Sequence, residues 1–176
     1  LLLGRQAHLE VIEWVLVLYR PWFIEYPLFL LFAAQIVLGV TLIVKRGRPT
    51  NGWAWAQVLS GCYIAFFLLQ HLSAAVMARV MHDIDTTTYW AASVVSKPPF
   101  VYYFFPYYVL AVFAMFAHVA AALRFAAYPK PPSLFHKALP PIGLVLGLAI
   151  VTSLSLGSDE EMPDALRLYL QSFYAG

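Results

Sequence analysis

Two histidines, His71 and His118, lie deep in apolar stretches that contain no Asp, Glu, Lys or Arg. A polar ring in hydrocarbon is costly, so an ionisable residue inside a membrane segment marks a candidate functional site. Two imidazoles on facing helices of a bundle could bind one haem iron from opposite sides. His71 and His118 are therefore candidate axial ligands of a haem b. The structural alternative is that each ring only hydrogen-bonds a neighbouring helix.

The elements that carry these rings follow from the composition. The 176-residue chain is 62% hydrophobic and 11% charged, and its mean hydropathy is +0.73, values typical of a membrane protein. Four long apolar windows predict spanning helices, since about 20 residues cross the hydrocarbon core. These helices are expected at about 26–44, 53–80, 104–127 and 138–158. The unbroken apolar runs do not fit the short alternating strands of a membrane β-barrel.

The segment before the first window, about 5–25, is rich in Leu, Val and Trp but is interrupted by Glu10, Glu13 and Arg20. This pattern favours an amphipathic helix that lies in the membrane interface. The predicted fold is therefore all-α: one integral membrane four-helix bundle over residues 1–176, preceded by an interfacial helix. No cleavable signal peptide is apparent, although the numbering starts abruptly at Leu1.

Charge bias predicts the orientation of the bundle. The connections after the first and third windows are basic and contain no acid, whereas all nine acidic residues fall on the other side. By the positive-inside rule, both termini lie on the outer, periplasmic or equivalent side of a bacterial or organellar inner membrane. The basic residues are Lys45, Arg46, Arg48, Arg124, Lys130 and Lys137. The acidic residues are Glu10, Glu13, Glu25, Asp83, Asp85, Asp159, Glu160, Glu161 and Asp164.

Small residues flank both membrane histidines, which fits a porphyrin beside its ligands and equally fits close helix packing. Two ligands of one iron must also lie at similar heights in the bilayer. Aromatic boundaries, with Tyr108 at one end of the third helix, place both rings near the midplane. The charge-free windows instead separate the rings by about 15 Å, at 1.5 Å per residue. The aromatic boundaries are preferred here, and they treat Tyr102, Tyr103, Tyr107 and Tyr108 as interfacial anchors.

The remaining candidate ligands are less well placed. His82 lies three helical turns after His71, and a second haem there would need His8 from the interfacial segment. His136, in a basic connection, is interpreted as a surface residue. The single cysteine, Cys62, forms no CxxC motif.

Arg79, His82 and Asp83 form a polar cluster at the outer end of the second helix. Arg and His could donate hydrogen bonds to quinone carbonyls, and carboxylates could relay protons. The alternative is an ordinary solvated helix end. Likewise, Ser60, Tyr63 and Gln70 could simply form bonds across helices.

Two further patterns concern packing. The connection from Arg79 to Phe105 is long, and Asp85 could cap a short helix that starts in Thr86–Thr88. Gly143 and Gly147 have the small-xxx-small spacing that permits close helix approach, within the bundle or against another chain.

The run Ser60, Gly61, His71, Arg79, His82 and Asp83 resembles the haem-bearing helix of membrane-anchor cytochrome b subunits of the succinate dehydrogenase and fumarate reductase superfamily. The resemblance covers mainly the second and third helices. It implies a b-type haem held by histidines, ubiquinone or menaquinone chemistry, and association with electron-carrying soluble subunits.

The leading hypothesis is an electron-transfer subunit of a respiratory or photosynthetic-type complex, rather than an enzyme by itself. It binds haem b through His71 and His118, exchanges electrons with a quinone and contacts lipid and other subunits, but no nucleic acid. Ligation by two histidines would leave the iron without an open position. The main alternative is a non-catalytic transmembrane accessory subunit. A small proton-coupled transporter is a weaker alternative, because no internal repeat is evident.

Overall fold

A computed structural model describes residues 5–84, 86, 88–156, 164, 166–168 and 171. These residues form helices and connecting turns without any strand, which confirms the predicted all-α class. The helices are α1 (Arg5–Tyr19), α2 (Trp22–Arg46), α3 (Gly52–His82), α4 (Thr88–Val94), α5 (Val101–Ala126) and α6 (Leu134–Leu156). Asp85, Asp159, Glu160, Glu161 and the side chain of His8 lie outside the described part.

Four of the helices, α2, α3, α5 and α6, are long and apolar enough to cross a membrane. They indicate an integral membrane protein with the predicted four-helix arrangement. The short helix α4 begins at Thr88, within the threonine run where such a helix is expected.

The first two helices are separated at Arg20 and Pro21, whereas the sequence predicts their boundary near residue 25. Helix α1 ends at Tyr19, and Trp22 to Glu25 form the first turn of α2. Pro21 explains the break, because a proline disfavours helical conformation at the residue before it and has no N–H to donate. Pro21 itself precedes the first residue of α2, close to the helix start at which proline is well tolerated.

Helix α3 has well-defined ends. The Asn51 side chain accepts a hydrogen bond of 3.0 Å from the Ala54 backbone N–H and so caps the N-terminus. At the other end, Asp83 adopts the left-handed conformation with φ 52°. The backbone N–H of Ile84 then donates to the Ala78 carbonyl at 3.0 Å, a helix-terminating arrangement. Both ends therefore fix the length of α3 at 31 residues.

Helix α5 lies at the centre of the arrangement and packs along both α3 and α6. We call the end with the α2–α3 and α5–α6 connections the basic end. The opposite end, where α3 stops before Asp83, is called the acidic end. The α5–α6 contact is close: a Cβ on Gly143 would lie 2.5 Å from Cβ of Phe116, and one on Gly147 would lie 2.9 Å from the Val109 carbonyl oxygen. The small-xxx-small pair thus packs within the bundle.

Helix α2 is attached differently. It has no buried residue and makes few contacts with α3. At the basic end the two helices are joined by the connection 47–51, which begins at Gly47 with φ 68°. At the acidic end, Arg79 Nη2 of α3 lies 2.6 Å from Glu25 Oε1 of α2. The hairpin is therefore held at both ends.

Candidate functional site

His71 lies in an aromatic cluster towards the acidic end. Its ring stacks on Phe67, with centroids 5.1 Å apart and planes at 10°. Tyr108 presents an edge at 5.9 Å, and Trp90 of α4 lies at 6.2 Å. Ring stacking of this kind explains how an imidazole is accommodated in an apolar layer. His71 is thus a half-buried side chain packed among aromatic rings.

His118 lies in a different, polar setting. Its Nδ1 is 3.1 Å from Ser60 Oγ and 3.2 Å from the Gln57 carbonyl oxygen, both on α3. A carbonyl oxygen can only accept, so Nδ1 must donate to it. The Ser60 hydroxyl donates to the Ala56 carbonyl at 2.5 Å, which leaves its oxygen to accept from His118. In the neutral ring the proton is therefore on Nδ1, and Nε2 carries the lone pair.

This tautomer is the one that metal-binding histidines commonly have. A ligating imidazole usually donates its other ring N–H to a carbonyl or carboxylate, which fixes the ring and strengthens the ligand. The position of the ring also depends on Gly61, because a Cβ there would lie 3.1 Å from His118 Cε1. The absence of a side chain at Gly61 thus makes room for the imidazole.

The structure does not bring His71 and His118 together. His71 is level with Tyr108 of α5, whereas His118 is level with Ser60 of α3. Eleven residues separate Ser60 from His71 and ten separate Tyr108 from His118, so each helix places the rings about 15 Å apart along its axis. The expectation of matched heights is wrong, and this pair does not fit a shared haem.

The error lies in the choice of boundary. Helix α5 begins at Val101, two turns before Tyr108, so Tyr108 does not mark its end. Tyr107 is only 4% exposed and its hydroxyl donates to the Phe67 carbonyl at 3.0 Å. Tyr107 is thus a core residue and not an interfacial anchor. The charge-free windows predict a separation of about 15 Å between His71 and His118, in agreement with the structure.

A slot opens between α2 and α3, with a volume of about 680 Å³. Along α3 it extends from Ala54 to Leu68, or about 20 Å at the rise of an α-helix. His118 and Phe125 contribute to it from α5. This volume lies within the range of small-molecule and cofactor sites. The α2 residues of the slot include Phe32, Gln35, Ile36, Gly39, Val40 and Ile43, and the α3 residues include Gln57, Val58, Gly61, Cys62 and Ala65.

The slot is apolar over most of its length and becomes polar at the basic end. Arg46 and Arg48 line it there, beside Thr50 and Asn51. Its interior has few polar groups besides His118. Such a distribution suits an amphipathic molecule with an apolar body and an acidic end. His118 thus fits a haem through the chemistry of its donor atom and the apolar space beside it, although the pair with His71 does not.

The predicted quinone cluster has other contacts. Arg79 pairs with Glu25, Asp83 is the exposed C-cap of α3, and His82 is exposed. Arg79 therefore ties α3 to α2. No group of three or more potential metal-ligating His, Cys, Asp or Glu side chains occurs among the described residues.

The expectation that Ser60, Tyr63 and Gln70 bond across helices is confirmed. Tyr63 donates to the Tyr107 carbonyl at 3.0 Å, and Tyr103 donates to Gln70 Oε1 at 2.6 Å, so these groups do bond across helices. Sequence reasoning missed Gln57 as a partner of His118, and it missed the slot. The sequence does contain a sign of this site, because Gln57 and Ser60 lie three residues apart on one helix face and can contact the same partner.

His136 is half-buried, with Nδ1 2.6 Å from Ser133 Oγ.

Comparison of the chain with protein-family models, curated proteins and solved structures found no match.

Proposed function

We propose that this chain is a membrane electron-transfer subunit that binds a b-type haem in the α2–α3 slot through Nε2 of His118. The observation that carries the proposal is the hydrogen bonding of His118. Its Nδ1 faces two acceptors, Gln57 O and Ser60 Oγ, so the neutral ring directs its basic nitrogen elsewhere. The same side chain lines the slot. A haem bound there would supply one-electron redox chemistry.

The chain's own residues have distinct parts in this proposal. Gln57 and Ser60 fix the tautomer and orientation of His118, as outer-shell partners of a ligand do. Gly61 leaves room for the ring. The apolar walls formed by α2 and α3 surround the site with hydrocarbon side chains, which influences the potential of any redox group.

His71 has no part in ligation under this proposal. The iron would therefore have one ligand from this chain, and the earlier inference of a closed coordination shell no longer follows. A second ligand would come from another subunit, or the position would stay open.

A quinone remains the proposed membrane-soluble electron partner, on the strength of the resemblance of the second helix to cytochrome b anchors. The proposed orientation keeps both termini on the outer side.

The test is an optical spectrum of the purified full chain, produced with ample haem and reduced with dithionite. We expect α and β bands in the parent and in His71→Ala, and their loss in His118→Ala. A colourless but monodisperse parent would reject the proposal. Equal loss in His71→Ala and His118→Ala would reject His118 as the only ligand from this chain.

A second variant separates cofactor loss from misfolding. Gly39 lines the slot, and a Cβ placed there meets nothing within 4 Å. Gly39→Leu should therefore fill part of the slot, keep the fold and lower the haem content severalfold. Val44→Leu adds bulk on the same helix at a position that is 76% exposed and outside the slot. It is the matched control and should keep full haem content.

A non-catalytic accessory subunit is the second candidate function. The observation in its favour is α2, which buries no residue within the described part of the chain and exposes large side chains such as Leu30, Leu31 and Val37. In a membrane, lipid or a partner helix can cover such a face equally well. This candidate predicts a stable, colourless parent that copurifies with a larger complex.

A further inference from the structure

The basic end of the slot carries two guanidinium groups that the proposed ligation by His118 leaves unused. Arg46 is the last residue of α2, and Arg48 lies in the connection that follows. Both line the slot, whereas the neighbouring Lys45 does not. The segment 45–51 contains no acidic residue. Neither arginine forms a salt bridge with an acidic residue that the structure describes.

A structural role alone explains one part of this arrangement. Cations near the C-terminus of a helix interact favourably with its dipole, and both Lys45 and Arg46 lie in the last turn of α2. The dipole does not explain why Arg46 and Arg48 border the slot. Arginine presents a planar set of donors that matches a carboxylate, so the polarity of the slot favours a ligand whose acidic end lies there.

The distance between the two arginines and His118 suits one extended ligand. Along α3, the connection ends at Asn51, and His118 is level with Gln57, Ser60 and Gly61. The rise of a helix places that level about 10 to 15 Å from the connection. The body of a porphyrin together with an arginine side chain covers a distance of this order.

We infer that Arg46 and Arg48 bind the two carboxylates of the haem, so that its acidic edge points to the basic end of the bundle. This inference rests on the proposed function. It adds the ligand's orientation and two positioning residues. Its consequence is selectivity: the slot should prefer a porphyrin with free carboxylates to the same porphyrin without them.

The experiment uses probes without iron, so its outcome does not depend on ligation by His118. Metal-free protoporphyrin IX and its dimethyl ester are titrated into the full chain in nanodiscs of phosphatidylcholine, and porphyrin fluorescence reports binding. We expect the diacid to bind roughly tenfold more tightly than the diester, as charge-assisted hydrogen bonds imply. The variant Arg46→Gln/Arg48→Gln should lose this preference.

Lys45→Gln is the matched control, because it removes a positive charge from the same segment without changing the slot lining. It should keep the preference for the diacid. All three side chains are exposed, so the variants should remain folded, which size-exclusion chromatography verifies. A preference that survives in the double arginine variant, or that falls equally in Lys45→Gln, would overturn the inference.

The competing source of anionic chemistry is a phospholipid headgroup. Repeating the titration in nanodiscs with phosphatidylglycerol distinguishes it. If that lipid abolishes binding of both porphyrins to the parent, the slot is a lipid site and the inference is wrong. If the diacid keeps its preference there, the inference stands. Failure of the proposed function would look different. The slot would still prefer the diacid porphyrin, but the reduced chain would show no haem spectrum that depends on His118.

Discussion

The α5–α6 contact and the α2–α3 hairpin show two outcomes of similarly apolar sequence. Between α5 and α6, Gly143 packs on Phe116 and Gly147 on the backbone of Val109. Between α2 and α3, the chain makes few contacts, has an ion pair at the acidic end and leaves a slot of about 680 Å³. Both pairs consist of antiparallel neighbours joined by short connections, so topology does not explain the difference.

The difference follows from how helices associate in a membrane. Lipid tails are as apolar as leucine, so apolar side chains alone do not drive two helices together. Small residues that permit close approach, and polar groups that bond across the interface, provide the attraction instead. Helix α6 has two glycines on one face, whereas Gly39 of α2 has no neighbour within 4 Å of its would-be Cβ. Between α2 and α3, no pair of small residues brings the helices together in this way, and a slot remains.

The largest predicted effect comes from adding a side chain to the close contact. In Gly143→Val, the new Cβ would lie 2.5 Å from the Phe116 Cβ, so α5 and α6 must separate. Overpacking of this kind costs about 1–3 kcal/mol or more. We expect a clear fall in melting temperature in detergent, measured by loss of monodisperse protein on heating.

Gly39→Val is the matched control for that measurement. It makes the same substitution in another apolar helix, at a position where nothing lies within 4 Å. Without added haem, its melting temperature should differ little from that of the parent. If the two variants were equally stable, the α5–α6 contact would be looser than described and the contrast between the two regions would fail.

An intermediate effect is expected at the acidic end of the hairpin. Arg79 and Glu25 are 2.6 Å apart, with side chains 26% and 15% exposed. Glu25→Gln leaves the guanidinium without its carboxylate, which should cost about 1–2 kcal/mol. The double variant Glu25→Gln/Arg79→Gln should regain part of this loss. Thermal unfolding of the parent, both single variants and the double variant gives the coupling energy.

The measured coupling bears directly on how α2 is held. A coupling near zero would mean that the ion pair does not tie α2 to α3, and that the connection 47–51 alone keeps the hairpin closed. A favourable coupling would mean that α2 is held at both ends, with the slot between them.

Sequence reasoning succeeds where a local property decides the structure. Apolar length determines the four long helices, and the threonine run gives the short helix α4. The spacing of Gly143 and Gly147 indicates a close contact because both glycines share one helix face. Tyr63 and Gln70 bond across helices because membrane polar groups seek partners.

Sequence reasoning fails where two segments must be aligned with each other. The register between α3 and α5 depends on contacts such as Tyr107 with Phe67 and His118 with Ser60, which no single helix determines. An error of a few residues in one boundary shifts the apparent height of His118 by many ångströms. The slot is harder still to predict, because it results from contacts that α2 does not make.

The smallest predicted effect concerns the contact between α3 and α5 beside the slot. Ser60 is 6% exposed and accepts from His118, while the Gln57 carbonyl offers a second acceptor at 3.2 Å. Ser60→Ala should therefore cost at most about 1 kcal/mol and leave the His118 proton on Nδ1, which nitrogen NMR of labelled histidine can detect. Ser73→Ala, at an exposed position of the same helix, should change neither quantity. A shift of the proton to Nε2 would contradict the prediction, because it would mean that Ser60 and not the Gln57 carbonyl fixes the tautomer. Nε2 would then carry the proton and would have no lone pair to offer to a ligand in the slot.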